Sequence, residues 1–312
     1  MSTTEIFKST ISKNDWDRAL LGGLMVSNPN LLDNWYFLNP VNQRDGYVVP
    51  PGTPYYSDTG LASQAGTTAD YATANKNTAT YGTIVVSGTT FYISWTAAMK
   101  GYHAINASTY TFDRWKYNRG QVFLGADGAT YRSDFGRYTH YYSVISQPIL
   151  ENRLPEAGKR VTYSALINGK LYTATTQIYT AAQLVDMGRV VFSEFESEIR
   201  FAQGGNTSSG AVSFMIDFLH DNKQYTVAAA KLELGDAQTL AKQDENGNWV
   251  LNDPPPDFGQ ELAKCQRYYQ LFSSADARPS SLADYRPAMR ANPATGTVDI
   301  NGATRYFADA NL

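Results

Sequence analysis

The chain is poor in cysteine and in charge. Its 312 residues include one cysteine, Cys265, which excludes an internal disulfide bond and a zinc site built from several thiolates. Charged residues make up 18% and the formal net charge is -3, without long runs of one sign. A protein that grips a phosphate backbone needs a concentrated positive patch, so we expect no nucleic acid among the partners.

Long apolar runs are missing as well. No stretch approaches the roughly 20 apolar residues that cross a bilayer. The first residues, MSTTEIFKST, lack the basic region and apolar stretch of a secretory signal. We therefore expect a protein made in the cytoplasm of its host, without membrane insertion and without conventional export.

Motifs for catalysis and for cofactors are absent too. The sequence has no G-x-S-x-G, P-loop or paired-cysteine motif, and its three histidines are scattered: His103, His140 and His220. Glycoside cleavage needs two carboxylates about 5 to 9 Å apart. The best carboxylate group, Glu194, Glu196 and Glu198, alternates as on the solvated face of a strand. Asp244-Glu245-Asn246-Gly247 is best interpreted as an Asn-Gly turn. We predict no catalytic residue, metal ligand or cofactor.

Aromatic residues are plentiful instead, with 22 Tyr and 14 Phe, and they favour pleated surfaces. Alternating apolar residues over 161–167, the dipeptide Asn168-Gly169 and the returning stretch 171–179 predict a hairpin. Ser87-Gly88 predicts another. Many short strands without long helices between them indicate a mainly β protein, an antiparallel β-sandwich with jelly-roll topology favoured.

A second alternating stretch predicts one strand with a core face and a water face. Val191, Phe195, Ile199 and Phe201 share one parity, while three glutamates and Arg200 share the other. The stretch 212–218 repeats the apolar pattern, and 225–234 closes the series.

Three zones follow from these patterns. Residues 1–27 have short helical signals with Asn14 as N-cap, and we interpret them as an anchoring or oligomerisation arm because they are too short to bury their own apolar face. Residues 28–253 form the sandwich, with a surface insertion at 45–108 that begins as a proline-rich loop. Residues 254–312 form a C-terminal helix and hairpin region.

The C-terminal helix is predicted from a cap and a stripe. Asp257 precedes Gln260 by three residues, as in a capping box. An apolar stripe then follows at 4, 3, 4, 3 spacing: Phe258, Leu262, Cys265, Tyr269 and Phe272. The stripe indicates a helix docked on its own domain, or alternatively a coiled coil, and it makes Cys265 a small core residue. Asn301-Gly302 predicts a terminal hairpin.

Five short sequence segments, which we call the recurrent words, carry a family resemblance: SNPNLLDNWYFLNPVNQR (27–44), YTFDRWKY (110–117), AAKLELGDAQTLA (229–241), ELAKCQRYYQ (261–270) and PAMRANP (287–293). The chain resembles tail-fibre and minor structural proteins of bacteriophages and prophages from Gram-positive hosts. The resemblance implies a carbohydrate-binding module with a galactose-binding-like jelly roll, assembled as a homotrimer with other virion proteins on the virion. The stretch 45–108 departs from that pattern.

Read physically, the recurrent words look structural. We expect Trp35, Phe37 and Trp115 in the core, because large aromatic side chains dominate cores. We interpret Asp113-Arg114 as a local ion pair that fixes a strand end.

The candidate binding residues lie outside the recurrent words. Sugars stack on aromatic rings that have polar groups around them, so we look for tyrosines with polar neighbours. The first group follows Tyr131: Arg137, Tyr138, His140, Tyr141 and Tyr142. The second is Tyr55 and Tyr56 on the proline-rich loop. The alternative for the first group is a strand whose tyrosines alternate between core and rim.

Three functions remain open. The first is a non-catalytic virion protein that binds host-surface carbohydrate as a homo-oligomer, in a receptor-binding role. The second is a purely structural fibre or decoration subunit without a ligand, and the third is a glycan depolymerase.

Overall fold

The computed structural model describes residues 27–43, 55–59, 81–86, 89–94, 109–117, 120–132, 143–150, 153–206, 209–219, 223–300 and 303–311. Within these ranges the protein is mainly β, with antiparallel sheets and few helices, which confirms the predicted fold class. Residues 1–26 of the predicted arm, 1–27, lie outside them.

The described strands are, in chain order, β1 (Tyr55–Thr59), β2 (Tyr81–Val86), β3 (Thr89–Ser94), β4 (Thr109–Phe112), β5 (Trp115–Tyr117), β6 (Gly120–Gly125), β7 (Gly128–Arg132), β8 (Ser143–Ile149), β9 (Arg160–Ile167), β10 (Lys170–Gln177), β11 (Arg189–Phe195), β12 (Ile199–Asn206), β13 (Ala211–Phe218), β14 (Gln224–Leu234), β15 (Ala241–Gln243), β16 (Trp249–Leu251), β17 (Tyr269–Phe272), β18 (Ala294–Ile300) and β19 (Ala303–Asp309). The described helices are α1 (Ala181–Asp186), α2 (Phe258–Gln266) and a 3-10 turn (Leu282–Asp284).

Two large sheets contain most of these strands. The first has the order β10-β9-β14-β7-β6-β1-β3-β2, and the second has the order β11-β12-β13-β8-β5-β4. A small hairpin, β15-β16, and a three-stranded sheet, β17-β19-β18, complete the described strands. Because β8 pairs with β13 in one sheet while β9 pairs with β14 in the other, two connections cross the sandwich side by side. This arrangement is consistent with a jelly roll.

The two large sheets pack face to face around aromatic side chains. Tyr163 of β9 contacts Phe201 of β12, with ring centroids 4.6 Å apart, and Phe214 of β13, at 5.8 Å. Further along the interface, Phe218 of β13 stacks on Tyr225 of β14 at 4.6 Å. All five side chains are fully buried. Edge-to-face and offset pairs of this kind add specific geometry to the apolar core.

The hairpin predicted at Asn168-Gly169 is confirmed. β9 and β10 pair from Lys170↔Ile167 onward, and both turn residues have positive φ, 51° and 72°. A two-residue turn of this kind needs φ above zero at both positions, which Asn and Gly tolerate best. The β2-β3 hairpin is confirmed by its backbone pairing, Val86↔Thr89.

The single strand predicted over 191–201 is wrong. A turn at Glu196 and Ser197, with φ of 50° and 55°, divides it into β11 and β12. A register shift between Val191 and Ser193 also reverses the faces of β11, because one extra residue inverts the alternation. Val191, predicted to be buried, is therefore 42% exposed.

The predicted insertion contributes strands to the first sheet. β1 pairs with β6 on one side and, in parallel, with β3 on the other. Tyr55 and Tyr56 are therefore in a strand and not on a proline-rich loop, which corrects that prediction. Strand pairing on both sides supplies hydrogen bonds that outweigh the local effect of the preceding prolines.

The N-terminal segment 27–43 completes the first sheet. Strand β14 pairs with β7 only as far as Val227, and the segment takes the edge beyond it. The amide of Leu31 donates to the carbonyl of Leu232 (2.9 Å), and the amide of Ala230 donates to the carbonyl of Trp35 (3.1 Å). The core positions expected for Trp35, Phe37 and Trp115 are confirmed.

The recurrent words meet in a buried ion pair between Asp33 and Arg114, each 1% exposed. The guanidinium Nε of Arg114 donates to Asp33 at 3.2 Å, and its two terminal nitrogens donate to the Asn311 side chain and the Pro148 carbonyl, both at 2.8 Å. Its Cζ lies 3.6 Å from the ring centroid of Tyr268. We call this group the closed ion pair. It joins the N-terminal segment, the sandwich and the C-terminus.

The predicted pairing of Asp113 with Arg114 is therefore wrong. Arg114 has a positive φ of 71°, and its side chain extends to Asp33. The Asp113 carboxylate instead accepts a hydrogen bond from Gln43 at 2.6 Å. Hydrogen bonds from the guanidinium to Asn311 and to the Pro148 carbonyl hold the side chain beside Asp33.

The predicted C-terminal helix is only partly correct. Asp257 does cap α2, accepting from the amide of Gln260 at 2.8 Å, and Cys265 is fully buried. The helix ends at Gln266, however, and Tyr269 and Phe272 belong to β17, which pairs with β19. Long-range strand pairing overrides the helical period of the stripe. The terminal hairpin, β18-β19, is confirmed, with its predicted turn outside the described residues.

Candidate functional site

The side chains of the tyrosines predicted for binding lie outside the described part of the structure. Arg137, Tyr138, His140, Tyr141 and Tyr142 lie outside the described residues, between β7 and β8. Tyr55 and Tyr56 are described by their backbone in β1, and their side chains are not. Both groups stay predictions.

Tyr131, which leads into the first group, belongs to the core. Its ring lies 5.1 Å from that of Tyr117 and 5.6 Å from that of Phe218, and its side chain is fully buried. Burial raises the pKa of its hydroxyl well above the ordinary value. This tyrosine cannot serve as a ligand platform.

A groove of about 560 Å³ lies on the outer face of the first sheet. Leu166 of β9 forms part of its wall and alternates with Ala165 and Ile167, which face the sandwich core. Tyr36 alternates in the same way between two core residues of the N-terminal segment. The volume falls within the roughly 300 to 1,000 Å³ of ligand pockets.

The opposite wall of the groove is the β15-β16 hairpin and the chain that leaves it. Hydrogen bonds from the amides of Asn246 (2.9 Å) and Asn248 (2.8 Å) to Asp244 hold its turn, as predicted for this Asn-Gly sequence. These bonds lower the pKa of Asp244. The complete lining is Tyr36, Leu38, Leu166, Trp249, Val250, Leu251, Asn252, Asp253, Pro254 and Pro255.

Two aromatic side chains and one carboxylate define the chemistry of the groove. Trp249 and Tyr36 both line the groove and are half-buried, and both also pack against the hydrophobic core. Asp253 is the one charged residue in the described lining, and its side chain is 29% exposed. An aromatic ring beside a hydrogen-bonding rim suits a sugar, which has a C–H face and a border of hydroxyl groups.

Asp253 is held by a buried lysine beneath it. The ammonium of Lys231, 1% exposed, donates to Oδ2 of Asp253 at 3.1 Å, and the hydroxyl of Ser27 donates to the same oxygen at 2.7 Å. No described residue donates to Oδ1. We call this group the half-open ion pair, because one oxygen is fixed by the protein and the other can accept from a ligand.

A second buried carboxylate steadies the lysine through a threonine. The hydroxyl of Thr239 accepts from Lys231 at 2.9 Å and donates to Glu233 at 2.5 Å. Glu233 also accepts from the amide of Thr239 at 2.6 Å and is fully buried. The ammonium therefore lies within a continuous polar network, which limits the motion of Asp253 above it.

The glutamates considered for catalysis are dispersed along the β11-β12 hairpin. Glu196 lies in its turn, 3.6 Å from Lys170, and Glu194 lies 4.0 Å from Arg200. Glu198 pairs with Lys223. These carboxylates therefore have basic partners of their own. Burial raises the pKa of the Cys265 thiol well above its ordinary value, which opposes nucleophilic chemistry there.

No group of three His, Cys, Asp or Glu side chains suited to a metal ion occurs in the described part of the chain. Nor is any helix there long and apolar enough to span a membrane. Searches against protein-family models, curated proteins and solved structures find no match for this chain.

Proposed function

We propose that the chain is a non-catalytic bacteriophage virion protein that binds host-surface carbohydrate, and that the groove beside Trp249 is its binding site. The observation that carries the proposal is the combination of half-buried Trp249 and Tyr36 with the accepting oxygen of Asp253 in one groove. The recurrent sequence words support the virion assignment, and a sandwich presenting its site on an outer sheet face supports recognition.

The binding test is a glycan array followed by calorimetry on the sugars that bind. Trp249→Ala removes the ring surface and is expected to weaken binding roughly 5- to 150-fold, since a stacked aromatic ring contributes about 1 to 3 kcal/mol in comparable contacts. Glu245→Gln, an exposed change at the tip of the same hairpin, is the control and leaves binding unchanged.

Tyr141→Ala and Tyr55→Ala extend the same experiment. If either abolishes binding while Trp249→Ala does not, recognition belongs to the tyrosines predicted from sequence and the groove assignment is wrong. Glu196→Gln tests the depolymerase alternative, which requires release of sugar from host cell-wall glycan by the native chain and loss of that release in the variant.

A purely structural fibre or decoration subunit is the second candidate. It is favoured by the burial of the recurrent words, since Trp35, Trp115 and Arg114 are all internal. A blank array together with normal incorporation into virions would support this role over recognition.

Assembly is proposed as a homotrimer that contacts other virion proteins through residues 1–27. Light scattering of the full chain and of a chain lacking those residues tests it. A trimer that dissociates on truncation is expected, whereas a monomer in both forms contradicts the proposal.

A further inference from the structure

We propose that the groove selects an uncharged sugar with adjacent hydroxyl groups, and that Asp253 reads those hydroxyls. The inference rests on the proposed carbohydrate-binding function and adds a substrate class to the same site.

The first argument is the orientation of the carboxylate. Lys231 and Ser27 fix Oδ2 of Asp253, so Oδ1 has a defined position although the side chain is 29% exposed. A carboxylate accepts hydrogen bonds and cannot donate them. A ligand must therefore bring O–H or N–H groups, and a rigid acceptor binds them with little loss of side-chain entropy.

The second argument is charge. Lys231 is 1% exposed beneath the carboxylate, so a ligand in the groove does not reach its ammonium. The two aromatic residues of the lining, Trp249 and Tyr36, carry an indole N–H and a hydroxyl as their polar groups, and neither group is charged. A uronate or a sugar phosphate would place its negative charge in a groove whose one charged residue in the described lining, Asp253, is also negative. Such a ligand loses hydration without gaining a cation, so it is disfavoured.

The third argument is shape. Pro254 and Pro255 follow the carboxylate directly and have fixed φ angles, which makes this side of the groove stiff. Trp249 stands on the preceding strand, so ring surface and acceptor come from one short segment of chain. One pyranose fits this arrangement, with its C–H face on the indole and adjacent hydroxyls toward Oδ1.

The experiment measures affinity by calorimetry for matched pairs of oligosaccharides. Each neutral sugar is paired with its carboxylated counterpart: glucose with glucuronate, galactose with galacturonate, and N-acetylglucosamine with its 6-carboxylate. The native chain is expected to bind at least one neutral member at least ten times more tightly than its partner.

Asp253→Asn is the matching variant. It keeps the shape and a carbonyl that can accept from Lys231, but it removes the charge and the second accepting oxygen. Because hydrogen bonds to charged groups contribute about 1.5 to 3 kcal/mol, binding of the neutral sugar should weaken roughly 10- to 100-fold. Glu245→Gln makes the same chemical change on the same hairpin outside the groove and should leave affinity unchanged.

The outcomes separate the two proposals. Preference for neutral sugars that is lost in Asp253→Asn supports the inference. Equal binding of neutral and carboxylated sugars, or full affinity in a folded Asp253→Asn variant, overturns it while leaving carbohydrate binding intact. Binding of no sugar at all contradicts the proposed function itself. Since the selectivity of the native chain decides the matter alone, an unstable variant does not block the test.

Discussion

The closed ion pair, Asp33 with Arg114, and the half-open ion pair, Lys231 with Asp253, differ in how much of the carboxylate the protein uses: Asp33 also pairs with Arg153, whereas Asp253 pairs, among the described residues, with Lys231 alone. Each has a fully buried cation contributed by a recurrent sequence word. Asp33 is 1% exposed, whereas Asp253 is 29% exposed and lines a groove. The same chemistry thus serves to join chain segments in one place and to present an acceptor in the other.

The difference identifies where function can reside in a chain whose charged residues are few. A buried pair whose groups are all used by the protein fixes the fold, because any change leaves a charge without its partner. A pair with one free oxygen has capacity left for a ligand. The following changes test this distinction, in order of expected effect.

Asp33→Asn should have the largest effect. It leaves the guanidinium of Arg114 buried without its carboxylate, and removing one partner of a buried pair destabilises proteins by about 3 to 5 kcal/mol. Urea unfolding measures the loss. Asp236→Asn is the control, because its pair with Arg160 is more than half exposed and such pairs contribute about 0 to 1 kcal/mol. Equal losses in both variants would remove the basis for calling the first pair closed.

Lys231→Met should have a smaller effect on stability and a clear effect on binding. Water can reach Asp253 once the ammonium is gone, so we expect a loss of about 1.5 to 3 kcal/mol, the contribution of hydrogen bonds to charged groups. Sugar affinity should fall because Oδ1 is no longer held in position. A variant as unstable as Asp33→Asn, or one that binds sugar normally, would contradict the half-open description.

Tyr163→Phe probes a third kind of buried polar group, a hydroxyl without a described partner. Burial raises the pKa of Tyr163 above its ordinary value, and its ring already packs on Phe201. Removing an unsatisfied hydroxyl relieves its desolvation, so we expect the free energy of unfolding to rise by up to about 1 kcal/mol. If Tyr163→Phe instead lowers the free energy of unfolding in urea, the hydroxyl stabilises the fold and the prediction is wrong.

The last prediction concerns the pH dependence of stability between about pH 10 and pH 12. Burial, with a further contribution from Glu198, raises the pKa of Tyr225 from 10.0 to about 12. The unfolded chain therefore releases this proton first, so stability is complete below about pH 10 and decreases as the pH rises to about 12. Urea midpoints across this range measure the decline, which should be shallower in Tyr225→Phe. An identical slope in both proteins would contradict the assignment.

Local signals predicted the fold where local chemistry decides it. The β9-β10 hairpin was predictable because Asn168 and Gly169 tolerate positive φ, and the β12-β13 faces followed from alternation. The β11-β12 turn was missed because Glu196 and Ser197 do not signal such a backbone. The C-terminal stripe was misassigned because pairing with β19 is invisible to a helical period.

The groove was not predictable as a site, because Tyr36, Leu166, Trp249 and Asp253 are far apart in sequence and meet only after the sheet forms. A partial signal existed. Trp249 lies in a polar hairpin, four residues before Asp253 and the three prolines that follow it. The two predicted tyrosine groups, which stay predictions, rest on local density of tyrosine, and that density alone does not distinguish a core strand such as β7 from a binding surface.

The way strand β14 is shared has a consequence for synthesis. Its first half pairs with β7, and its second half pairs with the N-terminal segment, while Arg114 bonds to Asn311 at the other end of the chain. The N-terminal segment, made early, therefore pairs only after the second half of β14 has been made. Such long-range closure slows folding, so a nascent chain exposes the unpaired N-terminal segment until β14 has emerged from the ribosome, and this is an intermediate that a chaperone would have to protect.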